Sequence, residues 1–134
     1  MLALETVRGT RVVASPSTLD SVAWPASAIV LRFAPDDVFV IGGESIVVSG
    51  DSTIVAADAG YSGAWLTADE LAHVADHIDW PLPTERPAFT QGFVASVPAK
   101  LYLTGAATSS DGGDRVALLL TNTPYAHELQ ERLS

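Results

Sequence analysis

Apolar positions along this chain fall into short blocks, and most are too short to be helices. Ile29-Val30-Leu31-Arg32-Phe33 and Val38-Phe39-Val40-Ile41 are rich in β-branched and aromatic residues. Between them Ala34-Pro35-Asp36-Asp37 has turn chemistry, so the two blocks predict a strand pair. Gly42-Gly43 then reverses the chain into Ile46-Val47-Val48, and Ser49-Gly50-Asp51-Ser52 turns it into a strand at 53–57. The stretch reads as a meander. An earlier strand is expected at 10–14, followed by breaks at Ser15-Pro16-Ser17-Thr18 and Trp24-Pro25. Further on, 92–97 and 100–104 predict two strands with Pro98 at or near the bend. Residues 108–114, with Gly112-Gly113, predict an exposed mobile loop, and 115–121 a buried strand.

Two segments carry helical periodicity. Thr67 with Glu70 three residues later forms a capping box, and Leu71, Val74, Ala75 and Ile78 make one apolar stripe. Trp80-Pro81-Leu82-Pro83 ends that helix, because proline cannot continue it. A second helix is expected at 124–133, capped by Thr123 and opened by Pro124. Its apolar face holds Tyr125, Leu129 and Leu133, and Glu128 pairs with Arg132 at i, i+4. The expected fold is a single α+β domain over residues 1–134. Residues 1–27 form an N-terminal strand and extended arm, and 28–133 form the core. That core is an antiparallel sheet with two principal helices, near 68–78 and 124–133, on one side.

Composition narrows the function more than the fold. The 134 residues include no cysteine, which excludes disulfides and thiolate chemistry. No apolar run approaches the ~20 residues of a membrane helix. The N-terminus Met1-Leu2-Ala3-Leu4-Glu5 has no basic start and does not read as a signal peptide, so a cytoplasmic location is expected. The net charge of −9 is unevenly placed: residues 34–85 hold ten acids and no lysine or arginine. Such a surface repels nucleic acid and anionic membranes. It either keeps the protein soluble or docks a basic partner.

Candidate chemistry is sparse. His73 and His77 have the i, i+4 spacing that lets two imidazoles share a zinc ion, with Glu70 on the same side. Against this, both are placed opposite the apolar stripe, in solvent, and no motif supplies a third ligand. His127 has no marked nucleophile to serve and reads as a surface residue. Asp36, Asp37 and Asp51 fit turns, and Gly42-Gly43 and Gly112-Gly113 lack the pattern of phosphate loops. Asp58 follows Ile54-Val55-Ala56-Ala57 and is expected to be partly buried, unlike the turn acids. Trp65 and Trp80 flank the first helix and are candidate anchors for a partner chain, with core packing as the other reading.

Two stretches, taken together, carry a family resemblance. One runs from Leu31-Arg32-Phe33-Ala34-Pro35-Asp36-Asp37 to Val38-Phe39-Val40-Ile41-Gly42. The other runs from Gly92-Phe93-Val94-Ala95-Ser96-Val97 to Pro98-Ala99-Lys100-Leu101-Tyr102-Leu103, with Pro124-Tyr125-Ala126 further on. Between them Asp58 opens a segment through Gly63 into Thr67-Ala68-Asp69. Over roughly 28–133 this order resembles the gamma subunit of heterotetrameric sarcosine oxidase. More distantly, it is similar to the folate-binding domain of glycine-cleavage aminomethyltransferases. The resemblance makes Asp58 the candidate cofactor-binding carboxylate, with Gly60 and Tyr61 standing where aminomethyltransferases commonly carry a serine-histidine pair after that aspartate. The resemblance implies an aminomethyltransferase-like fold and a non-catalytic, structural companion without a cofactor of its own. Its partner would be another subunit or a second copy of itself. The rival expectation is a stand-alone domain that binds a folate-like small molecule or acts as an enzyme.

Overall fold

The computed structural model describes residues 2–43, 46–50, 52–110 and 113–134, and the side chains of all these except 105–110 and 113. Seven strands and three α-helices follow one another as β1 (Glu5–Val13), α1 (Pro16–Asp20), β2 (Ile29–Ala34), β3 (Asp37–Ile41), β4 (Ile54–Leu66), α2 (Ala68–Ala75), β5 (Ala88–Val94), β6 (Val97–Ser110), β7 (Gly113–Asn122) and α3 (Ala126–Arg132). Every pairing for which a register is defined is antiparallel. The expectation of helices on an antiparallel sheet holds. By internal contacts the chain falls into two compact units, residues 7–59 and residues 1–6 with 60–134. β4 begins in the first and ends in the second.

In the unit formed by 7–59, β3 lies between β2 and β1. Val12, Ala14, Val38 and Val40 build its core, and α1 closes it with Leu19. This helix stands where Ser15-Pro16 was expected to break the chain. Ser15 accepts a hydrogen bond from the Thr18 amide, and Pro16 occupies the first helical position, where its missing N–H costs nothing. Gly42 and Gly43 turn the chain at positive φ, as expected. Ile46-Val47-Val48, however, form no strand. Ile46 and Val48 still pack on the core while Val47 points out, so the alternation survives without a ladder.

In the other unit β4, β7, β6 and β5 pair in that order. Leu66, Leu101, Leu103, Ala117 and Leu119 share one face through the registers Leu66↔Ala117, Leu103↔Ala117 and Leu101↔Leu119. Val74 of α2 and Leu129 and Leu133 at α3 cover that face. The capping box of α2 is complete: Thr67 Oγ1 accepts from the Glu70 amide, and Glu70 Oε1 accepts from the Thr67 amide at 2.9 Å. The regular helix ends at Ala75, before the expected 78. At the C-terminal end Pro124 lies in a 3₁₀ turn (Thr123–Tyr125), and α3 proper starts at Ala126 without a side-chain cap.

The β5–β6 hairpin differs most from expectation. Its turn is Ala95-Ser96, closed by the pair Val94↔Val97, so the predicted 92–97 strand ends at Val94 and Pro98 lies inside β6. Pro98 sits opposite Phe93, next to the closing pair. Its nitrogen faces away from β5, on the side where pairing with β7 first begins at Lys100. β6 and β7 continue as a ladder through 108–110 where a loop was expected, with Thr108↔Arg115 and Ser110↔Gly113 paired. Asp51, Asp111 and Gly112 lie outside the described residues.

Ala95 and Ser96 both have positive φ, 49° and 67°. A two-residue hairpin turn needs this conformation, yet neither residue favours it. The turn is held from outside: the Ala95 amide donates to the His77 carbonyl at 2.9 Å, and Arg132 Nη1 donates to the Ala95 carbonyl at 2.8 Å. Replacing Ala95-Ser96 by Asn-Gly should therefore raise stability by about 1 kcal/mol, because these residues adopt the left-handed region more readily. Urea unfolding of the double variant checks this, and an unchanged or lowered midpoint would contradict it.

Candidate functional site

Asp58 is part of an ion cluster built on three strands of the 7–59 unit. Arg11 on β1 stands opposite Phe39 of β3, so its guanidinium reaches across the sheet face. Its Nε and Nη2 donate to the two carboxylate oxygens of Asp37, each at 2.5 Å, and Nη1 donates to Asp58 Oδ2 at 3.0 Å. Arg11 Cζ lies over the Phe33 ring, 5.1 Å from its centroid, and Phe33 stacks on Phe39 at 5.7 Å. The three charged side chains keep only 20–28% of their surface exposed. Asp58 is thus partly buried as expected. Asp37 is not merely a turn residue, because its carboxylate forms a fork with Arg11. Arg11 was missed: nothing in its local sequence marks an arginine whose partners lie 26 and 47 residues away.

The histidine pair is brought together, with ring centroids 5.2 Å apart. It is not simply in solvent, however. His77 is half-buried, and His73 Nε2 lies 2.6 Å from the Leu133 carbonyl. A carbonyl only accepts, so this nitrogen carries its proton and ties α2 to the end of α3. Among the described residues no three His, Asp or Glu side chains are grouped as a metal site. His127 reaches Glu131 at 3.1 Å on an exposed helix face. The expected Glu128–Arg132 pair is made at 2.5 Å.

Trp65 and Trp80 are half-buried. Trp80 donates from Nε1 to Thr90 Oγ1 at 3.0 Å, and its ring lies on Gly92, where a Cβ would come within 2.9 Å of it. Trp80 also packs against the core of its own unit, which occupies much of its apolar surface. The large apolar side chains that do stand out are Val47, Ile54, Val55, Phe93 and Tyr125. Two open depressions contain residues singled out above. One, about 480 Å³, is lined by Leu2, Asp69, Glu70, His73, Leu133 and Ser134. The other, about 460 Å³, is lined by Asp76, His77, Asp79, Phe93, Ala95 and Ser96. Glu70 already serves as the α2 cap.

Of the ten acids in 34–85, Asp36, Asp69, Asp76, Asp79 and Glu85 are exposed, while Asp37 and Asp58 are held by Arg11. Glu44 and Asp51 lie outside the described residues. Among the described residues no helix is long and apolar enough to cross a membrane. No protein-family model matches the chain, and no curated protein and no solved structure matches it either.

Removing Arg11 takes away the guanidinium that two partly buried carboxylates share. Arg11→Ala is therefore expected to cost about 2 kcal/mol, less than for a fully buried pair because water still reaches the cluster. Asp58→Asn should cost less, since Arg11 keeps its fork to Asp37. Chemical denaturation of the two variants checks the order, and equal losses would contradict it.

Proposed function

We propose that the protein is a non-catalytic accessory subunit that works by docking onto another protein chain. The proposal includes a fold akin to the folate-binding domain of aminomethyltransferases and a role like that of the gamma subunit of sarcosine oxidase. One observation carries the docking reading: Val47, Ile54 and Val55, close in sequence, expose 81%, 60% and 40% of their surface. Water-exposed aliphatic side chains this large fit an interaction surface. They join Trp65 as anchors in this reading, whereas Trp80 packs on its own unit. The acidic excess of 34–85 gives the same part of the chain a field that speeds encounter with a basic surface.

In this reading Asp58 is a structural carboxylate. Its partner Arg11 offsets the charge that a cofactor amine would otherwise meet. Folate chemistry would then belong to a companion subunit.

The test is co-expression of this chain with the large subunits of a heterotetrameric sarcosine oxidase, followed by size-exclusion chromatography at low salt. Joint elution is expected, and it should be lost in Ile54→Asp/Val55→Asp while the melting temperature of the isolated protein stays within a few degrees. Elution alone at monomer size would overturn the reading. Saturable tetrahydrofolate binding that Asp58→Ala abolishes would replace it with the small-molecule one.

A further inference from the structure

We infer that a depression on the β5–β6–β7 face turned away from α2 and α3 is a binding site for a small monocarboxylate with an apolar body. The inference goes beyond the docking reading and does not depend on it.

The face follows from the registers. Val97, Ala99, Leu101 and Leu103 of β6 belong to the core that α2 and α3 cover. Side chains alternate along a strand, so Pro98 and Lys100 point the other way. Residues directly opposite each other share a face, which puts Phe93 beside Pro98 and Gln91 beside Lys100. On β7, Ala117 and Leu119 belong to the core, and alternation places Asn122 on the Lys100 side.

The depression has a cause in the ladder. The pairing of β6 with β7 starts at Lys100↔Leu120 and runs away from the Ala95-Ser96 turn. Toward the turn, Pro98 has no N–H with which to continue it. The Thr121 hydroxyl donates to the Pro98 carbonyl at 2.8 Å instead. A hollow of about 240 Å³ lies there, and its lining includes Gln91, Phe93, Pro98, Lys100, Thr121 and Asn122.

Its chemistry runs against that of the whole chain. The net charge is −9, yet the hollow is lined by the single lysine of the sequence and by no carboxylate. Lys100 is half-buried, and its ammonium donates to Gln91 Oε1 at 2.7 Å, which steadies the long side chain along the face. An ammonium carries three N–H donors, and the side chain of Asn122 adds an amide. An oxygen anion is the group that accepts from such donors most strongly. Phe93 keeps 62% of its surface exposed, and with Pro98 it offers an apolar wall next to the cation. One lysine in so acidic a protein favours a single negative charge over a phosphate dianion. The volume lies below the ~300 Å³ at which typical ligand pockets begin, so the ligand is small.

The probe is sodium benzoate, titrated into the intact protein with amide NMR shifts as the readout. Saturable shifts are expected at Gln91, Gly92, Phe93, Ala99, Lys100, Thr121 and Asn122, half-complete at about 1 mM for a ligand of this size. Benzamide, the neutral analogue of the same shape, should bind at least fivefold more weakly, and this comparison needs no variant. Lys100→Met keeps the aliphatic stem, and its amide spectrum checks the fold. It should bind benzoate at least fivefold more weakly, no better than benzamide. Inorganic phosphate should not displace benzoate. An absence of saturable shifts at twenty times the expected concentration, or shifts centred elsewhere, would overturn the site. Equal binding of benzoate and benzamide, or full affinity in Lys100→Met, would overturn the assignment of the anion to Lys100. Displacement by an equal concentration of phosphate would overturn the monocarboxylate class. The docking reading is tested separately, by co-elution and its loss in Ile54→Asp/Val55→Asp.

Discussion

The three strands that meet at Arg11 depend on one guanidinium. β1 and β3 are hydrogen-bonded neighbours, and their register places Arg11 opposite Phe39, from where its guanidinium reaches two carboxylates. It forks onto Asp37 at the start of β3 and reaches Asp58 on β4. The geometry is demanding because a planar fork matches a carboxylate in only one plane. Phe33 then sets that plane from the side, with Phe39 stacked behind it. A lysine could neutralise the same charges but could not hold the two carboxylates in a defined arrangement. The carboxylate singled out as a ligand candidate is thus held by a residue on the neighbouring strand β1, far away in sequence.

Elements governed by local chemistry could be read directly from the chain. The Thr67–Glu70 box, the Pro35-Asp36 turn and the turn at Gly42-Gly43 need only neighbouring residues to form, and all three are present. α1 was equally local, with Ser15 as cap and Pro16 behind it, but five residues with one apolar side chain give too little periodicity to register. The hairpin turn at Ala95-Ser96 was hidden for the opposite reason. Its conformation is imposed by His77 and Arg132 from elsewhere in the fold, and the residues themselves carry no turn signal.

The candidate sites divide along the same line. Partial burial of Asp58 was expected from the apolar residues before it, yet those residues are exposed, and it is Arg11 that packs against the carboxylate. That ion partner was not legible, because pairing across 47 residues is a property of the sheet register. The histidine spacing was visible, but the carbonyl of Leu133 that engages His73 was not. The tryptophans looked like anchors because tryptophan often is one. In the fold, Gly92 makes room for the Trp80 indole, so that side chain is used for packing.

The Ala95-Ser96 turn has a consequence for how the molecule assembles. A hairpin whose own turn resists closing does not form early by itself, since loop closure must be compensated by contacts made at the same moment. Here those contacts come from the end of α2 and from α3, at 2.9 and 2.8 Å. Closure of the tip is thus coupled to the placement of the segment after α2 and of α3, so a loss of either contact is felt at a turn remote from it in sequence.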